Sequence, residues 1–179
     1  MAESFTNSLL RAAGIVTTNS SAAVGVTTTI ITGISTVGVA VSNLIDNTNF
    51  LAGTKVSAVG AGQVTVDRSS TNTVAATNQN VKICGVTTAF TSATGVKNIL
   101  IGGTFANNTN QEVSLTVEVY DKSAGIQAGL ASKIPVPSGS SFVISDAGKT
   151  VLESEDELRV YCTTDNAIDA NLSILKGVS

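Results

Sequence analysis

The segment Val113-Ser-Leu-Thr-Val-Glu-Val-Tyr120 sets Val113, Leu115, Val117 and Val119 against Ser114, Thr116, Glu118 and Tyr120. A period of two turns alternate side chains to opposite faces, so the spacing predicts a half-buried strand with one dry and one wet side. The same alternation returns twice downstream. Leu158, Val160 and Cys162 oppose Arg159, Tyr161 and Thr163, and Ile168, Ala170, Leu172 and Ile174 oppose Asp169, Asn171 and Ser173. Three such strands can share one core, and the reading that follows is an all-β chain, an antiparallel β-sandwich with a small inserted or appended β-module.

Composition points the same way. The 179 residues are 42% hydrophobic but only 13% charged and 4% aromatic, against a usual charged share of roughly 25%. Thr, Ser, Val and Asn fill the difference, and branched side chains pack better on a pleated surface than in a helix. A surface of neutral hydrogen-bonding groups can lie against a neighbour without the desolvation cost of buried charge. The net charge of −3 and ten scattered cationic residues give no basic patch, so no nucleic acid is expected as a partner. No run reaches the roughly 18 to 20 apolar residues of a membrane span, so no membrane partner is expected either. The opening Met1-Ala-Glu-Ser-Phe5 lacks the basic end and apolar core of a signal peptide, and synthesis in a cytosol is expected. Asn19, Asn107 and Asn171 head Asn-x-Ser/Thr triplets, read as chance matches. Cys84 and Cys162 either pair or stand as small buried hydrophobes, and a reducing compartment favours the second.

Outward from the strands, the chain divides into residues 1–27 plus 81–179 as the sandwich and 28–80 as the inserted module. Phe5, Leu9 and Leu10 have helix-compatible spacing, and Gly14 would close a short helical arm. Both chain ends are expected to be held, with a partner chain as one way of holding them. Val56–Val59 and Val64–Val66 flank Gly60-Ala61-Gly62 as a hairpin. The polar run from Arg68 to Asn80 reads as loop or irregular edge, with a strand restarting at Val81. Gly95 to Ala106 reads as a long strand, Asn107 to Asn110 as a turn, and the strand from Val113 as its hairpin partner. Pro135 and Pro137 mark an extended edge segment that turns at Ser138-Gly139. Val151 to Leu158 reads as strand, acidic turn, strand.

Chemistry is scarce in these residues. Histidine is absent, which removes the commonest general base and a common metal ligand. Two-carboxylate glycoside hydrolysis remains formally open with thirteen acids, but Trp is absent and only Tyr120 and Tyr161 offer sugar-stacking rings of that kind. Glu153, Glu155, Asp156 and Glu157 could meet Ca²⁺ but lack the spacing of a calcium loop, and a solvated turn is the plainer reading. Gly60-x-Gly62 and Gly102-Gly103 precede no helix and read as turn or bulge rather than phosphate cradle. Tyr120 and Tyr161 are expected on the wet face, as interface anchors or as ordinary surface rings. No catalytic, cofactor or metal residue is assigned, and no enzymatic activity is expected.

Two stretches carry a resemblance. Ile31-Thr-Gly-Ile-Ser-Thr-Val-Gly-Val-Ala-Val41 with Ala52-Gly-Thr-Lys-Val-Ser-Ala-Val-Gly-Ala-Gly-Gln-Val-Thr-Val-Asp67 resembles a small β-module of tailed-phage virion proteins. Leu115-Thr-Val-Glu-Val-Tyr-Asp121, Lys133-Ile-Pro-Val-Pro-Ser-Gly-Ser-Ser141 and Leu158-Arg-Val160 look like short accessory virion proteins of phages, notably cyanophages. The resemblance implies a β-sandwich assembled in the host cytoplasm as a repeated building block, and it brings no functional residues with it. The function it implies is a non-enzymatic structural protein of a tailed-phage virion, binding the outside of the capsid as decoration or cement, or the head-to-tail neck. Other virion proteins and copies of the chain itself are the expected partners, in a homo-oligomer on the particle. The alternative is a fibre-associated adhesin module that binds host-surface glycan; a third reading is a β-sandwich without viral partners.

Overall fold

The structure is a computed structural model and describes residues 3–144 and 149–178. The chain is all-β: fifteen strands and no helix among the described residues, with every strand pairing antiparallel. It separates into two compact units, Met1–Gly14 with Thr87–Ser179, and Ile15–Val86.

The first unit is a two-sheet sandwich. It holds β1 (Ser4–Ala13), β8 (Thr87–Thr91), β9 (Lys97–Asn107), β10 (Val113–Asp121), β11 (Ile126–Val136), β12 (Ser141–Ile144), β13 (Thr150–Leu152), β14 (Glu157–Cys162) and β15 (Ile168–Val178). One sheet runs β1-β15-β9-β12, with β13 also on β9, and the other runs β11-β10-β14-β8. The dry faces expected from the alternation meet between them. Val113, Leu115 and Val117 from β10, Leu158, Val160 and Cys162 from β14, and Ile168, Leu172 and Ile174 from β15 are all buried in one apolar cluster with Phe105.

Two expectations change here. Ser4–Ala13 is an edge strand rather than a helical arm, because Phe5, Leu9 and Leu10 find a sheet to lie on: β1 pairs with β15 from Ser4↔Lys176 to Leu10↔Ala170. Spacings of four suit both periods, and tertiary pairing decides between them. The first and last described strands therefore hold one another; Met1, Ala2 and Ser179 lie outside the described residues. The strand from Val113 is also no hairpin partner of β9. Asn107 turns the chain from one sheet to the other: its Oδ1 accepts from the Thr109 amide (2.9 Å), and its Nδ2 donates to the Gln111 and Val136 carbonyls (2.8 Å each). A side chain holding three backbone groups makes a corner instead of a tight two-strand turn.

The second unit contains β2 (Val16–Val24), β3 (Ile30–Thr32), β4 (Leu44–Asp46), β5 (Val56–Gly60), β6 (Gln63–Val66) and β7 (Ala76–Cys84) in the order β4-β7-β2-β3-β6-β5. The β5–β6 hairpin forms as expected, with Gly62 at φ +68° in its turn. Its ends also meet. Leu44 and Lys55 form a bridge, the Ile45 amide donates to the Thr54 carbonyl (2.8 Å), and the Val56 amide donates to the Asn43 carbonyl (2.9 Å). The six strands thus close on themselves around Val24, Ile31, Ile45, Val64, Val81 and Ile83. Closure of this kind removes sheet edges.

The unit is wider than the expected 28–80, because β2 and β7 pair with each other from Val16↔Cys84 to Val24↔Ala76. Residues 15–27 and 81–86, assigned from sequence to the sandwich, belong to this unit, with Val16–Val24 and Val81–Cys84 in its sheet. Ala76–Asn80 is likewise strand and not loop. Its Thr, Asn and Gln side chains hide the apolar period, but its backbone pairs with β2 through Ala22↔Gln79 and Val24↔Ala76, an irregular edge with two register shifts that β4 does not reach.

Candidate interaction surface

The outer face of the five-stranded sheet is set by strand register. Phe5 stands opposite Leu175, Leu175 opposite Ile99, and Ile99 opposite Val151, which gives an apolar row across four strands. Phe5 is 78% exposed and Val151 53%. A second row runs Leu9, Asn171, Thr104 and Val143, and its ends, Leu9 and Val143, are also exposed. Between the rows lie Asn7 and Ser173. Beside Leu9 and Arg11 an open depression of ≈490 Å³ reaches Thr104 and Asp169; one Asp169 carboxylate oxygen accepts the Ala12 amide (2.7 Å). This face combines apolar rows with Ser, Thr and Asn, and Arg11 and Asp169 are its charges near the depression. An apolar patch rimmed by neutral polar groups is the kind that lies against another surface. Sequence reading missed Phe5 and Leu9 as members of it, and the alternation Phe5, Asn7, Leu9, Arg11 was the available signal.

The outer face of the second sheet behaves differently. Thr116 stands opposite Tyr161, Glu118 opposite Arg159, and Tyr120 opposite Glu157. Tyr161, expected on a wet face, is 1% exposed, and Thr116 and Glu118 are buried too. Large side chains lying across neighbouring strands cover one another here. The Arg159 guanidinium sits 3.6 Å from the centre of the Tyr120 ring, and its Nε donates to Glu157 Oε2 at 2.7 Å. Burial holds the Tyr161 phenol well above its ordinary range, and the Glu118 carboxylate, which shares a hydrogen bond with it, pushes the same way, with Arg159 pulling against both. At neutral pH the phenol is a proton donor within a structural network.

The other sequence candidates have structural work. Asp156 is buried rather than solvated: its two carboxylate oxygens accept the Lys122 amide (3.0 Å) and the Glu153 amide (2.9 Å). Glu153 faces Lys97 (3.2 Å) and Glu157 faces Arg159, so three of the four acids turn to separate partners. Among the described residues no group of three or more such side chains is placed to hold a metal ion. Gly102 and Gly103 lie in β9 beside a register shift opposite Ser173/Ile174. A Cβ on Gly103 would press on Leu172, and one on Gly102 on the Ile144 carbonyl, so both serve close strand approach. Asn19 and Asn107 are buried, Asn19 Oδ1 accepting the Ser35 amide (2.7 Å). Cys84 and Cys162 are buried thiols, one in each unit. Comparison with protein-family profiles, with curated proteins and with solved structures returned no match.

Proposed function

We propose that this protein is a non-enzymatic structural subunit of a tailed-phage virion, attached in many copies to the outside of the capsid or to the head-to-tail neck. The observation that carries this reading is the outer face of the five-stranded sheet, where Ile99, Leu175, Val143 and Val151 stand among Ser, Thr and Asn. Such a face releases water from apolar surface on contact, at roughly 25 cal/mol per Å², with few charges to desolvate. The resemblance of the chain to accessory virion proteins supplies the setting. The network around Tyr161 supports the same reading, because its ionisable groups engage one another and leave Tyr120 stacked under Arg159 instead of open as a sugar platform.

The test is attachment. The protein should copurify with washed particles in fixed stoichiometry, and antibody labelling should place it on head or neck in electron micrographs. Val143→Glu and Val151→Glu are at exposed positions and should reduce attachment while leaving the melting temperature within a few degrees. Absence from washed particles sinks the proposal. Saturable binding of the purified chain to host cell walls, with no binding to particles, would favour the adhesin reading.

A further inference from the structure

We infer that two copies of this chain pair through β1, antiparallel about a two-fold axis at Asn7, so that the five-stranded sheets of two protomers join into one. In that register Phe5 of one protomer stands opposite Leu9 of the partner subunit, and Glu3 stands opposite Arg11 of the partner subunit.

β1 is the end of its sheet, with β15 on one side and no strand on the other among the described residues. An open edge presents a row of backbone donors and acceptors, and proteins usually blunt such edges with proline, bulges, lysine or short length. The other edges carry these devices. β11 contains Pro135, has Lys133 at φ +52°, and shifts register twice along β10. β8, β12 and β13 are five residues or fewer, and the six-stranded unit closes its own ends. β1 has the fewest of them: it runs ten residues without proline or lysine, and its single irregularity, a register shift with Ala12 at φ +57°, lies beyond Leu10 at the strand's end.

The register follows from chemistry. An antiparallel two-fold keeps outward residues opposite outward residues, since a one-residue slip would turn core positions to solvent. Phe5, Asn7, Leu9 and Arg11 are exposed on β1, with Glu3 exposed just before it. Centring on Asn7 opposes acid to base and the two large apolar side chains to each other, twice per dimer. Slipping by two residues opposes Phe5 to Asn7 in one direction and to Arg11 in the other. Both slips lose the ion pairs and the Phe–Leu contacts together, and cross-strand pairs of these kinds are what sets pairing between strands.

Sedimentation velocity on the purified full chain over a dilution series should show a dimer that dissociates. Glu3→Arg and Arg11→Glu should each weaken it on the order of tenfold, because two exposed pairs turn repulsive. The double variant E3R/R11E should restore it. Melting curves recorded at concentrations where the chain is monomeric should not move, since both positions are exposed. As a check on register, a mixture of F5C and L9C proteins should form a disulfide-linked heterodimer under mild oxidation, each alone linking far less; Cys84 and Cys162 are buried and slow to compete. A monomer at all concentrations overturns the inference, as does a dimer that ignores the single reversals or is not rescued by the double one. The pairing belongs to the isolated chain and does not rest on the virion reading: a monomer that still copurifies with particles would sink the pairing alone.

Discussion

The two units solve the same problem, a chain poor in charge and aromatic rings, in opposite ways. Ile15–Val86 bends one six-stranded sheet until its ends meet through Leu44 and Lys55, so its backbone groups pair internally. Its apolar cluster is thin and rich in Val and Ile, and its loops are tied by polar side chains. Asn47 Nδ2 donates to the Asn80 carbonyl (2.9 Å) and its Oδ1 accepts the Asn49 amide (2.8 Å), Ser70 Oγ donates to the Gly25 carbonyl (3.0 Å), and Asp67 Oδ1 accepts the Lys55 amide (2.8 Å). The sandwich instead packs Phe105 and several Leu and Ile side chains between two sheets and leaves edges open. A closed sheet needs side-chain tethers because it encloses little; an open sandwich encloses more and retains an edge and an outer face for other molecules.

That contrast breaks or sharpens under mutation. The largest effect is expected from Phe105→Ala, which empties a fully buried site and should cost about 3–5 kcal/mol by urea unfolding. If the two cores are as separate in energy as in composition, calorimetry will show one transition lowered and the other unmoved. Next is Asn47→Ala, which leaves an amide and a carbonyl of the closed unit without partners and should cost about 1–3 kcal/mol, faster hydrogen exchange at Asn49 serving as the local readout. An unchanged midpoint would mean that water replaces the tether and that the polar account of this unit is wrong.

Smaller is the alkaline dependence set by Tyr161. Its folded-state proton affinity is raised by burial and by Glu118, so the stabilisation is complete below the ordinary tyrosine range of about 10. As pH rises past that range the unfolded chain releases the proton first, and stability falls. Urea midpoints from about pH 8 to about pH 11 should therefore drop less steeply in Tyr161→Phe than in the parent; equal slopes would remove the phenol from the account. Smallest of all is Lys97→Ala. Its 3.2 Å pair with Glu153 has both side chains more than half exposed, and the change in stability should stay within about 0.5 kcal/mol.

Much of the sandwich core was readable because alternation is local: Leu115, Val117, Leu158, Val160, Ile168 and Leu172 all turn inward as their spacing says. The candidate surface was less readable. Phe5 and Leu9, four apart, fit a helix as well as a strand, and the partner that decides, β15, lies at the far end of the chain. Tyr161 was misplaced for a related reason, since a period of two tells which side of a sheet a residue takes but not whether Arg159 and its neighbours crowd over that side.

By itself the sequence determined that this chain is built of antiparallel strands, which residues line their inner faces, and that one glycine-turned hairpin lies at Gly60 to Gln63. Those properties depend on neighbours two to four residues away. Only the tertiary structure decided that β2 and β7 belong to the closed unit, that Asn107 carries the chain between sheets, and that β1 ends its sheet with Phe5 and Leu9 outward. Such pairings join residues distant in sequence, whose choice depends on loop closure and on burying every face at once.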